Sequence, residues 1–70
     1  MFKVRGFNWD KLHSDRGVTY FCDTGAKAQV LVDVCKNVLD FTDITVWQGE
    51  EIVLSFVRDV QTNQWCDCTP

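Results

Sequence analysis

The chain has one histidine, one proline and no apolar run longer than three residues. A helix that crosses a bilayer needs about 20 apolar residues in succession. Val30-Leu31-Val32 and Ile52-Val53-Leu54 fall far short of that, so no membrane span is expected. The first five residues, Met1-Phe2-Lys3-Val4-Arg5, alternate apolar and basic side chains where an export signal places an unbroken apolar stretch. A cytoplasmic location is the resulting expectation, in the protein's own cell or in a host cell.

The scarcity of histidine removes most nucleophilic chemistry. A serine or cysteine nucleophile needs a base beside it, and the only imidazole, His13, lies in a polar stretch with Ser14 and Asp15 that a turn explains fully. Phosphate-cradling loops gather several glycines, whereas here glycines stand apart at positions 6, 17, 25 and 49. Asp23-Thr24-Gly25 matches the active loop of aspartic proteases in three letters only. That chemistry needs two carboxylates sharing a proton, and a single triplet ahead of a helix reads as its cap. The ten carboxylates fit no calcium-loop spacing. No catalytic residue, metal or cofactor is assigned, and the chain reads as a non-enzyme.

Cysteine is the one unusual side chain in good supply. Cys22 and Cys35 sit among apolar residues and read as core thiols in a reducing compartment. Cys66-Asp67-Cys68 is tighter than the roughly two to four intervening residues of most zinc sites. His13 would add only a third ligand, so a thiol or metal protein built on Cys66 and Cys68 ranks last of three readings.

What is present supports a fold. Hydrophobic residues make up 46% of the chain and aromatics 13%, against a net charge of only -3, a composition that packs rather than stays disordered. Seventy residues allow one domain, 1–70, with one small core. Charge divides unevenly: residues 1–35 carry five basic and four acidic side chains, residues 36–70 two basic and six acidic. A pI near 4.7 argues against direct nucleic-acid binding unless Lys3, Arg5, Lys11 and Arg16 form a local patch.

Periodicity supplies the elements. Phe2 and Val4 alternate with Lys3 and Arg5, predicting a strand over 2–8 with one basic face, followed by a polar loop to Gly17. Val18-Thr19-Tyr20-Phe21-Cys22 is a second strand, with Val18, Tyr20 and Cys22 on one side. Apolar residues at 30, 31, 34, 35, 38 and 39 trace one helical face, predicting a helix over 24–40 capped by Asp23 or Thr24. Ile44-Thr45-Val46-Trp47 and the run from Ile52 to Val57 form a hairpin turned at Gly49. Counting by twos puts Ile44, Val46, Ile52, Leu54 and Phe56 on the core side and Thr45, Trp47, Val53, Ser55 and Val57 on the other. Residues 59–70 read as a polar tail.

The expected fold is therefore α+β: a two-layer sandwich of ββαββ order, with one helix on one face of a four-stranded antiparallel sheet. The other face carries Phe21, Trp47, Val53 and Val57 and needs cover, from Trp65 in the tail or from another chain. Asp40, Asp43, Glu50, Glu51 and Asp59 surround the second hairpin, suggesting an acidic rim around Trp47. The leading expectation is a small acidic protein-binding module, an inhibitor or adaptor of phage type. It would dock on a basic surface of a nucleic-acid-handling partner through Trp47, Glu50, Glu51, Asp43, Val53 and Val57. The alternative is an assembly protein that homodimerises through the apolar sheet face.

Overall fold

A computed structural model describes residues 1–8, 17–37, 41–59 and 61–70. The elements are β1 (Phe2–Phe7), β2 (Gly17–Cys22), α1 (Gly25–Asn37), β3 (Asp43–Gln48), β4 (Glu51–Asp59) and β5 (Gln64–Asp67). The class is α+β as expected, with one helix and an entirely antiparallel sheet. The sheet has five strands, however, and the order is ββαβββ. The fifth strand comes from the segment read as a tail, and local turn chemistry explains it. Asp59 accepts the Gln61 N–H on its carboxylate at 2.9 Å and the Asn63 N–H on its carbonyl at 2.7 Å. Asn63 adopts a φ of 58°, a left-handed conformation that Asn tolerates better than most residues. The chain reverses there, and Trp65 lands opposite Arg58. Past β5 the pairing continues, the Cys68 N–H donating to Ser55 O at 2.7 Å and the Ser55 N–H to Thr69 Oγ1 at 3.2 Å.

In space the strands run β2-β1-β3-β4-β5. Both β2 and β3 are antiparallel to β1, so they run parallel to each other on either side of it. Their connection has to cross one face of the sheet, and α1 makes that crossing above β1. Thr24 starts the helix: its Oγ1 accepts the Lys27 N–H at 3.2 Å and its carbonyl accepts the Ala28 N–H at 3.1 Å.

The helix is turned relative to the expected stripe. Ala28, Val32 and Cys35 are buried and Leu31 half-buried, while Val30 is 61% and Val34 37% exposed. The apolar arc of α1 is wider than its line of contact with the sheet. The contact falls at 28, 32 and 35, over Val4, Ile44 and Val46, and leaves Val30 and Val34 outside it, Val30 on the side of Cys22 in β2. Val38 and Leu39 lie outside the described residues.

Phe41 completes the buried core with Val4, Ala28, Val32, Cys35, Ile44 and Val46. Its ring lies directly on the backbone of Gly6, where an added Cβ would stand 2.5 Å from Phe41 Cδ2. Thr42 ties the same corner down by donating its N–H to Phe7 O at 2.8 Å. At the β3–β4 turn Gly49 takes a φ of 64°, the positive value expected at the first central position of a type II′ hairpin. Next to that turn the ladder slips: Val46 pairs with Leu54, but Trp47 pairs with Ile52. Val53 is thus an extra residue in a bulge, which inverts the alternation on its hairpin-side flank. Ile52 accordingly leaves the core side and is exposed, and Val53 packs against the core, the reverse of their expected placements.

Chemical denaturation checks this arrangement. Val32→Ala should lose roughly 2 kcal/mol, whereas Val30→Ala should change stability by less than about 0.5 kcal/mol. Gly6→Ala should cost about 1 to 3 kcal/mol, because the Phe41 ring must shift to admit a methyl group.

Candidate functional site: the uncovered sheet face

Alternation along each strand sends every second side chain away from α1, and the register aligns these side chains in rows. Phe21, Lys3, Trp47 and Ile52 form one row across β2, β1, β3 and β4. Thr19, Arg5, Thr45 and Ser55 form the next. Gly17, Phe7, Asp43, Val57 and Cys66 form a third, which reaches β5. Phe21 is 68% exposed, Ile52 45% and Val57 39%.

Two cations lie against rings on this face. Lys3 Nζ is 4.2 Å from the centroid of the half-exposed Trp47, and the Arg5 guanidinium is 5.2 Å from the Phe7 ring. Such contacts contribute about 0.5 to 1 kcal/mol at exposed sites and hold the charged heads low over the sheet. Arg5, Phe7, Asp43 and Thr45 line a shallow depression of about 250 Å³. At its rim the Thr42 hydroxyl is 2.9 Å from Asp43 Oδ2 and 3.2 Å from Phe7 O. Among the described residues the three rows offer rings, the cations Lys3 and Arg5 and the carboxylate of Asp43, which suit recognition through contact.

The structure brings Trp47, Asp43 and Val57 together on this face. Glu50 and Glu51 are exposed at the hairpin end beyond Trp47. Val53 is not on the face, for the bulge described above. The acidic residues of the hairpin, Asp43, Glu50 and Glu51, lie toward its two ends, while the charged neighbour of Trp47 in its row is Lys3. Strand order causes this, since β1 inserts between β2 and β3 and sets its basic side chains beside the indole. Lys3, Phe7 and Ile52 went unassigned from sequence. The Lys3-Val4-Arg5 alternation signals a basic strand face, but only the pairing shows which aromatic it borders. Asp40, Lys11, Arg16 and His13 lie outside the described residues.

Trp65 does not cover this face. It projects to the α1 side, among the residues that border the core. All four cysteines are free. Cys35 is buried, and burial pushes its thiol pKa up. Cys22 is half-buried, its Sγ 3.8 Å from Thr24 O. Cys66 and Cys68 are exposed, and Cys66 stands beside Val57. Among the described residues no three His, Cys, Asp or Glu side chains gather as metal ligands do, and no described helix is long and apolar enough to cross a membrane.

No family profile, curated protein or solved structure matches this chain.

Thiol chemistry reports directly on these placements. In a titration with an aromatic disulfide, Cys66 and Cys68 should react first and Cys35 only once the chain unfolds, because its thiolate is both occluded and disfavoured. Rapid modification of Cys35 in the native chain would contradict the placement of α1.

Proposed function

We propose that this chain is a non-enzymatic protein-binding module, an inhibitor or adaptor that acts by covering a partner's surface with its bare sheet face. One observation carries the reading: the half-exposed Trp47 shares one row of the face with exposed Ile52 on β4 and exposed Phe21 on β2, with exposed Val57 two rows along on β4, and no described segment covers them. Monomeric proteins seldom leave such a surface open without use for it.

The charges suggest how a partner is oriented. Lys3 and Arg5 occupy the centre of the face, each drawn onto a ring of the chain itself, while Glu50 and Glu51 project at the hairpin end. A partner with a basic surface, as nucleic-acid-handling proteins have, would meet the hairpin end with that surface and the rings with an apolar one. The net charge of -3 supports steering toward such a partner. In this arrangement the carboxylates govern the rate of encounter, and the rings at the centre govern residence.

Binding kinetics of a partner captured from a cell lysate test both roles. Exchanging Glu50 and Glu51 for Lys should slow association about tenfold at low salt and flatten its salt dependence, with little change in dissociation. Trp47→Ala should accelerate dissociation about tenfold or more while leaving the circular dichroism unchanged. A partner held equally by the parent chain and both variants would place the contact elsewhere.

A further inference from the structure

We propose that a second copy of this chain adds to the outer edge of β2, joining two five-stranded sheets into one of ten. The two edges of the sheet are treated differently. β5 is four residues long, with exposed polar side chains and the Asp67 carboxylate, the usual means of discouraging edge pairing. β2 is Gly17-Val18-Thr19-Tyr20-Phe21-Cys22, with no charge, no proline and a β-branched or aromatic residue at four of six positions. Among the described residues no strand pairs with its outer side.

The apolar surface does not stop at the strand. A groove of about 430 Å³ runs between β2 and α1, lined by Cys22, Ala26, Lys27, Val30 and Leu31. Val30, which lines it, is 61% exposed, and Val34, one helical turn further on, is 37% exposed. The ion pair here among the described residues, Asp23 to Lys27 at 2.9 Å, is internally neutral. Two copies can therefore meet at this edge without like charges opposed, although each chain carries -3.

Symmetry fixes the register. An antiparallel pair about a two-fold axis normal to the sheet sets residues equidistant from the axis opposite one another. Centring it on Tyr20 gives the longest overlap within Gly17–Cys22 that begins and ends on a side chain. Tyr20 then faces Tyr20, Thr19 faces Phe21, and Val18 of the second copy stands beside Cys22, at the mouth of the groove. Because α1 lies above β1, the two helices are about 14 Å apart, three strand spacings. Helices with side chains are about 10–12 Å across, so the tyrosine pair floors a narrow gap walled by Val30 and Val34 from each side. The overlap is about 17 Å long and, with the side chains on both faces of the strand pair, buries on the order of 1,000 Å² in total, the least that a stable interface needs. Both bare faces then point the same way, which makes the dimer a bivalent form of the binding module.

Sedimentation analysis of the full chain from micromolar to millimolar concentration, with amide exchange on the same samples, tests this. The mass should rise from one chain to two, and exchange at residues 17–22 should slow with concentration while that of β5 does not. Val30→Asp, at an exposed helix position, should leave the fold intact and weaken association about a hundredfold. Tyr20→Lys, which sets two ammonium groups face to face on the axis, should do the same. Trp47→Ala should leave the dimer unchanged. Three results would overturn the proposal: a monomer at millimolar concentration, a dimer lost with Trp47→Ala but kept with Val30→Asp, or β2 amides that slow only when a different protein is added. Partner binding that fails in Glu50 and Glu51 variants of an intact dimer would bear on the proposed function alone.

Discussion

One helix of thirteen residues has to cover a sheet of five strands, and most of the structure follows from that mismatch. Such a helix is about 20 Å long and 10–12 Å wide, enough to shelter two or three strands spaced about 4.8 Å apart. It lies over β1, and the fully buried residues of the sheet are accordingly Val4 on β1 and Ile44 and Val46 on β3. Farther out, shelter comes from side chains alone. Leu54, Phe56 and Trp65 are only half-buried on the β4–β5 side, where Lys36 Nζ reaches to 3.7 Å above the Phe56 ring. On the β2 side Leu31 and Lys27 border the sheet at Cys22, and Val30 and Val34 are left in the open.

The same shortage accounts for the two candidate surfaces. Among the described residues the face away from α1 has no second layer, so its alternate residues form an exposed field of rings and cations. The β2 edge has neither a neighbour among the described residues nor the charge that protects β5. A bare face recognises through side chains, whereas a bare edge recognises through backbone hydrogen bonds and is satisfied best by another strand. The two surfaces lie at right angles, and engagement of one leaves the other free.

Features set by neighbours in sequence were legible before the fold was known. A cap at Asp23 or Thr24, of which Thr24 serves, Gly49 in a tight turn and the alternation of Val18, Tyr20 and Cys22 all depend on a few adjacent residues, as does the placement of Trp47 and Val57 on one face. The misplaced residues depend on something farther away. Val53 and Ile52 exchange sides because of one inserted residue, which a count of period two passes over. β5 exists because Asp59 and Asn63 turn the chain back onto β4, although Gln64-Trp65-Cys66-Asp67 has little strand character. Val30 and Val34 belong to an apolar arc whose buried portion is chosen by the crossing over β1. Lys3 beside Trp47 is a consequence of strand order, which no local pattern encodes.

The helix protects one side of the sheet, and no described segment covers the other. The most direct measurement is NMR relaxation by a soluble paramagnetic probe, recorded on side-chain signals at a dilution where the chain is monomeric. Strong broadening of Phe21, Ile52 and Val57, with Val4, Val32, Ile44 and Val46 unaffected, is the result this account predicts. Equal protection of both sets would contradict it, because some part of the chain would then have to lie across the face described as bare.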